Sequence, residues 1–179
     1  MKRLLLSVLI LFALSCNQKE EVNISRYFDL ENYFEKESNR LSAGNYILNK
    51  KLITGKINEE VIMDSVNWTD ILEPFKSCDI NKSSWKNSYS IDSSLHGDTL
   101  IVKYLAADVN LAIQQVKIGV VANEVTSIEI FKVKRSFYYN SEETFLYQTN
   151  GFVISSSRKV RFSDESRYQI SGSFIKHKS

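Results

Sequence analysis

The fold class of this chain is decided by IQQVKIGVV (113–121), the break ANE (122–124) and VTSIEIFKV (125–133). Val116, Ile118 and Val120 alternate with other residues, so they share one face of an extended segment. A period of two indicates β-strands, and a short break between two such runs predicts an antiparallel hairpin.

The same spacing of short strands and turn residues continues to the end of the chain. Asn150-Gly151 is the sharpest turn signal, because both positions tolerate positive φ in a type I′ hairpin turn. In the last strand, Tyr168, Ile170 and Phe174 share a face. The strands predicted after Trp85 are 88–93, 99–106, 113–121, 125–133, 145–147, 152–154, 158–162 and 167–175, with breaks at 96–98, 122–124, 150–151 and 163–166.

An amphipathic helix precedes the strands. Leu30, Phe34 and Leu41, with Tyr27 one turn earlier, recur at three-, four- and seven-residue spacings. This spacing places them on one face of a helix of about four turns. The charged residues of the helix carry both signs, so we expect its apolar face to pack on the domain and not on lipid.

The ends of the helical segments carry their own signals. Ser25 is the expected N-cap of the first helix and Gly44 its expected stop. A second short helical stretch begins with 68–72 and includes Phe75. Pro74 interrupts it, which predicts either a kink or a new helix start, because proline lacks an amide donor.

Together these patterns predict an α+β fold. Strands at 46–54 and 56–66 around Gly55 join the later ones. We expect a curved, largely antiparallel sheet of about eight to ten strands, covered on one face by the N-terminal helix and the second short helix. Such sheets can close partly or fully into a barrel, so a half-barrel is one form of this prediction.

The first fifteen residues have the parts of a secretory signal. The cationic start Met1-Lys2-Arg3 precedes the apolar run Leu4–Leu14 and the small residue Ser15. The apolar run is too short to cross a bilayer, which takes roughly 20 residues. The pattern predicts export without a membrane-spanning anchor.

Ala13-Leu14-Ser15-Cys16 resembles the lipobox of bacterial lipoproteins, whose cysteine is diacylated before cleavage. The resemblance implies a signal peptide at 1–15, a lipidated tether at 16–23 that begins with Cys16, and a single α+β domain at 24–179. Several acyl chains on one residue would give a stable anchor. A lipobox has leucine where Ala13 stands and a small residue where Leu14 stands, so ordinary cleavage after Ser15 stays open.

The residues after the cysteine resemble the surface-export signal of Bacteroidota lipoproteins. Lys19, Glu20 and Glu21 carry this likeness. It implies lipid anchoring in the outer membrane with the domain facing the cell surface. The alternative is a charged, solvated tether on a lipoprotein that faces the periplasm.

The charge balance limits the classes of partner that the domain is expected to bind. Removal of residues 1–15 leaves 164 of 179 residues, enough for one domain with a core. Loss of Lys2 and Arg3 lowers the basic count from 23 to 21, equal to the 21 acidic residues. A neutral domain argues against a nucleic-acid partner and against a polybasic membrane contact.

Sequence motifs typical of enzymes are missing. The chain has no nucleophile elbow, no phosphate-binding glycine loop and no zinc-protease motif. His96 lies in a predicted turn and His177 in the tail, which is too few histidines for a zinc or Ser/His/Asp site. Acylation of Cys16 leaves Cys78 without a disulfide partner, so we interpret Cys78 as a small core residue, with a reactive thiol as the alternative. We expect no enzyme, no cofactor and no metal.

Clusters of like charge have a plain interpretation as solvated surface. Glu59-Glu60 and Glu142-Glu143 are neighbours on predicted strands, so their side chains point to opposite faces.

A basic cluster lies near the last break. Val160 and Phe162 are expected to point inward, which leaves Lys159 and Arg161, near Arg158, on the outer face. Solvated surface is the first interpretation, and contact with an anionic glycan or a protein partner is the second.

The body of the chain resembles small Bacteroidota lipoproteins of an uncharacterised family. The run WTDILEPFKSCDIN (68–81), followed by short strands, carries this likeness. The layout is also loosely similar to the half-barrel of outer-membrane lipoprotein carriers, an analogy of fold that implies no function.

Three functional hypotheses follow. The first is a non-enzymatic binding or accessory module for a protein or glycan at the cell envelope. The second is a carrier with a lipid or other apolar ligand in a half-barrel cavity. The third is a hydrolase that uses carboxylates alone.

Overall fold

Nine antiparallel strands and two α-helices form the part of the chain that the computed structural model describes, residues 26–176. The predicted α+β class is confirmed, and strands predicted at 46–54, 99–106 and 113–121 match in full. The helices are α1 (Leu30–Ala43) and α2 (Trp68–Lys76); the strands are β1 (Tyr46–Thr54), β2 (Ile57–Met63), β3 (Tyr89–His96), β4 (Thr99–Ala106), β5 (Ile113–Val121), β6 (Glu124–Arg135), β7 (Tyr139–Gln148), β8 (Gly151–Val160) and β9 (Glu165–Lys176).

The strands form one open sheet in the order β2-β1-β9-β8-β7-β6-β5-β4-β3. From β3 to β9 each strand pairs with the next one along the chain, as a meander. The pairing of β1 with β9 joins the two ends of the described chain, with Leu48 opposite Phe174. This order puts the β1–β2, β4–β5, β6–β7 and β8–β9 connections at one end of the sheet.

Helix α1 begins later than predicted. The expected N-cap, Ser25, lies outside the described residues, and the helix starts at Leu30 with Asp29 as its cap. The Asp29 carboxylate accepts a hydrogen bond from the backbone amide of Asn32 at 2.9 Å. An aspartate in this position satisfies a free amide of the first turn. Tyr27 is buried but precedes the helix.

The predicted stop of α1 at Gly44 is confirmed. Gly44 has an ordinary φ of −85°, and Asn45 takes the left-handed conformation with a φ of 50°. A Cβ atom on Gly44 would lie 2.5 Å from Cε2 of Tyr46. A side chain at this position would have to displace the ring of Tyr46, so glycine permits its close approach.

Helix α2 runs through Pro74 as a single helix, so the alternative of a new start at that residue is wrong. Pro74 lies in the last turn, two residues before the helix ends at Lys76. The backbone amide of Ser77 donates to the carbonyl oxygen of Glu73 at 2.9 Å, so helical bonding continues past the proline. A proline so close to a C-terminus removes one amide donor without dividing the helix.

The hairpin turn predicted at Asn150-Gly151 is wrong in its details. Gln148 pairs with Gly151, so the two loop residues are Thr149 and Asn150, and Gly151 is the first residue of β8. Asn150 and Gly151 do not have positive φ. A Cβ on Gly151 would lie 2.3 Å from the carbonyl oxygen of Gly172, so this glycine permits close approach of strands.

Two consecutive positive φ angles, as in a type I′ turn, occur instead at the break between β5 and β6. Ala122 has a φ of 49° and Asn123 a φ of 64°. They link the two strands where Val121 pairs with Glu124. The hairpin predicted there is confirmed.

Both helices contribute to a core on one face of the sheet, which we call the inner face. Phe75 of α2 contacts the rings of Phe34, Phe145, Tyr147 and Phe152 at centroid distances of 5.2 to 5.9 Å. Edge contacts between rings add to the free energy gained from burial. Aromatic side chains therefore occupy the space between helix and sheet.

The interpretation of Cys78 as a core residue is confirmed, and the two tryptophans differ in burial. Trp68 is buried, and its ring lies 5.2 Å from that of Phe174. Cys78 is buried as well. Trp85 is only half-buried, and the ammonium of Lys82 lies 4.4 Å from its ring centroid.

Candidate functional site

A groove of about 550 Å³ crosses the face of the sheet opposite the inner face, which we call the outer face. Directly paired residues share a face, so the register shows how the groove is built. Its main row crosses five strands, β1, β9, β8, β7 and β6, and spans roughly 19 Å at the usual strand spacing. The members of this row are Ile53, Gln169, Ser155, Thr144 and Phe131.

A second row lies beside the first and carries the charges. Arg167 pairs with Ser157, which pairs with Glu142. All three line the groove. The outer groove thus combines one carboxylate and one guanidinium with hydroxyl and amide groups.

Arg167 also has a partner on its own strand. Its guanidinium donates to the carboxylate of Glu165 at 2.9 Å, and the Ser157 hydroxyl donates to the same carboxylate. The hydrogen bond from Arg167 holds the pKa of the Glu165 carboxyl below its usual range. Much of the positive charge at this end of the groove is therefore balanced locally.

The chemistry available in the groove is hydrogen bonding and ring contact. Ser155, Thr144 and Gln169 offer donors and acceptors, and Phe131 offers a half-buried ring. Polar groups beside an aromatic ring are suited to a ligand with many hydroxyls.

The residues predicted to carry lipidation and export lie outside the described part of the chain. These are Cys16, Lys19, Glu20 and Glu21. The structure does not bear on their roles, which stay predictions.

His96, the histidine within the described residues, does not line the outer groove. His96 is exposed on the edge strand β3, where its Nε2 lies 3.0 Å from Oγ of Ser94. Within residues 26–176 no group of three His, Cys, Asp or Glu side chains is arranged to hold a metal ion.

The adjacent acids on β7 separate as predicted. Glu142 lines the outer groove, whereas Glu143 forms an ion pair with Lys132 at 3.1 Å. Their register positions put them on opposite faces of the sheet.

Cys78 has the environment of an unreactive thiol. Its Sγ lies 3.3 Å from the carbonyl oxygen of Pro74. Burial raises the pKa of the Cys78 thiol to about 11, and the thiolate is the nucleophilic form.

The basic cluster differs from its prediction at both apolar residues. Val160 and Phe162 were expected to point inward, but they are 40% and 95% exposed. Strand β8 ends at Val160, so Phe162 belongs to the β8–β9 turn, where its φ is 68°. A residue beyond the end of a strand does not follow the strand's alternation.

The groove residues were missed from the sequence. Alternation along β8 indicates that Ser155 and Ser157 share a face, and along β9 it does so for Arg167 and Gln169. The pairing of β1 with β9, which brings Ile53 to the row, has no local signal.

Comparison with protein-family models, with curated proteins and with solved structures finds no match to this chain. Among residues 26–176, no helix is long and apolar enough to cross a bilayer.

Proposed function

We propose that this protein is a non-enzymatic lipoprotein of the cell envelope, anchored in the outer membrane through Cys16, whose outer groove binds a neutral glycan. The lipobox-like sequence before Cys16 supports the anchor. Lys19, Glu20 and Glu21 support display at the cell surface. The groove on the outer face supports binding.

The observation that favours a glycan is the continuous row of side chains across five strands. Gln169, Ser155 and Thr144 stand between Ile53 and Phe131, so hydrogen-bonding groups are flanked by apolar ones. A sugar presents hydroxyls at its rim and apolar C–H groups on its ring faces, which this arrangement matches. A peptide could also bind this row of side chains, but less specifically than a sugar.

Neither alternative hypothesis receives comparable support. The rings around Phe75 fill the space in which a carrier would hold an apolar ligand. A carboxylate hydrolase needs two acids in one cleft. Among the described residues that line the groove, Glu142 is the one acid, and Glu143 points to the other face of the sheet.

Titration of the full chain with a panel of neutral oligosaccharides, followed by calorimetry, tests this proposal. Gln169→Ala is expected to weaken binding about fivefold, because one hydrogen bond is lost. Gln148→Ala is the matched control, since Gln148 is exposed on β7 outside the groove. Absence of binding across the panel, or equal weakening by both variants, contradicts the proposal.

A further inference from the structure

Three exposed aromatic residues project from two neighbouring turns at one end of the sheet. Phe137 and Tyr138 belong to the β6–β7 turn and Phe162 to the β8–β9 turn, and they are 73%, 72% and 95% exposed. We call these three residues the aromatic tip. The backbone amide of Arg161 donates to the carbonyl oxygen of Tyr138 at 2.9 Å, so the two turns are joined.

The aromatic tip is surrounded by positive charge. Segments 134–139 and 158–164 contain five basic residues and a single acidic one, Asp164. The guanidinium carbon of Arg161 lies 4.6 Å from the ring centroid of Phe137 and 5.2 Å from that of Phe162. The basic residues are Lys134, Arg135, Arg158, Lys159 and Arg161.

The described chain enters the fold at this same end. Arg26 donates to the side chain of Asn87, just before β3. Two further hydrogen bonds continue from there. The Ala107 amide donates to the Ser88 carbonyl at 2.8 Å, and the Arg135 side chain donates to the Val109 carbonyl at 2.6 Å. These contacts lead from the entry point to the β6–β7 turn.

The length of the tether limits where the domain can lie. Nine residues, 17–25, separate Cys16 from Arg26. Even fully extended, this connection spans at most about 35 Å. An anchor at Cys16 would therefore keep the entry end within about 35 Å of the bilayer, and the aromatic tip lies at that same end of the sheet.

We propose that the aromatic tip docks on the interface of an anionic lipid bilayer. The lipid anchor on which this rests is part of the proposed function. Aromatic rings favour the boundary between headgroups and acyl chains, and basic residues are attracted to anionic headgroups. The neutral charge of the whole domain had argued against such a contact, but the basic residues are concentrated at this end.

Tryptophan reporters in the full chain test the docking. Phe162→Trp places a reporter at the tip, and Leu95→Trp places a control near the opposite end of the sheet, where Leu95 is 71% exposed. The protein is mixed with vesicles that contain roughly a third brominated phosphatidylglycerol in phosphatidylcholine. Emission of the parent chain, from Trp68 and Trp85, is subtracted.

We expect quenching of Phe162→Trp to exceed that of Leu95→Trp at least about threefold. Adding Lys159→Glu should reduce the quenching at the tip, whereas Lys36→Glu, on the exposed face of α1, should not. Equal quenching at both ends, or none at the tip, overturns the proposal. Burial of the tip reporter by a second copy of the chain or by an acidic protein, without vesicles, overturns it too.

Failure of the anchor gives a different result. Vesicle flotation of the parent chain that is lost in Cys16→Ala supports the anchor, whatever the reporters show. A parent chain that takes up no radioactive palmitate counts against the anchor, while quenching of Phe162→Trp still decides whether the tip meets lipid.

Discussion

Cys78 lies at the junction of α2 with the inner face of the sheet. Its side chain is buried directly after α2, near the ion pair of Lys132 with Glu143. Desolvation is the largest cause of its raised pKa, and the positive charge of Lys132 only partly opposes it. Burial thus disfavours the thiolate at this position.

We predict that Cys78 resists alkylation in the folded protein. In a Cys16→Ala background it is the sole thiol, and its pKa rises from 9.0 to about 11 on folding. At pH 8 this lowers the thiolate fraction about 100-fold. The free energy of unfolding is unaffected by this thiol below pH 9 and falls as the pH rises from 9 towards 11, because the unfolded thiol ionises first. Iodoacetamide labelling with and without urea measures the difference; equal rates contradict the prediction.

Glu37 shows what residue patterns leave undetermined. It is a buried acid on α1, and Arg40 donates two hydrogen bonds to it, at 2.7 and 2.6 Å. The hydroxyl of Tyr147 donates a third. Helical spacing explains the contact with Arg40. The partner on β7 is 110 residues away and has no signal near Glu37 in the sequence.

At the scale of elements, the β7–β8 and β3–β4 hairpins show two uses of glycine. Gly151 has no positive φ, but its position faces the backbone of Gly172. Gly97, in the β3–β4 turn, has a φ of +59° and no atoms close to its missing Cβ. Gly151 allows two strands to approach closely, whereas Gly97 allows a backbone conformation with positive φ.

We predict that Gly151→Ala destabilises the protein more than Gly97→Ala. A Cβ at Gly151 meets backbone that cannot move aside cheaply, which should cost about 2 kcal/mol or more. Gly97→Ala incurs only conformational strain of about 1 kcal/mol. Urea unfolding of both variants gives the comparison. A smaller loss for Gly151→Ala would show that the strands separate easily there.

Element boundaries were predictable where patterning was strong. Alternation located β5 in full, and Gly44 ended α1. The start of α1 was missed because Asp29, a better-placed cap, competes with Ser25. The turn at Asn150 was misplaced because the packing of Gly151 against β9 outweighs the usual preference of Asn-Gly.

At the scale of the whole molecule, the groove depends on an order of strands that local patterns do not contain. Alternation assigns Ser155 and Gln169 to a face, but not to the same row. That row exists because β9 lies between β1 and β8. The fold class was therefore predictable from the sequence, whereas the candidate site required the pairing.

The anchor is the prediction with the widest consequence for the molecule. We expect Cys16→Ala to move the protein from the membrane to the soluble fraction and to abolish its labelling with radioactive palmitate, because the acyl chains have no other attachment point. Cys78→Ala is the matched control and should stay in the membrane, since Cys78 is buried in the domain. Protease added to intact cells distinguishes surface display from the periplasmic alternative. A parent chain without palmitate, equally soluble before and after substitution, would favour ordinary cleavage after Ser15.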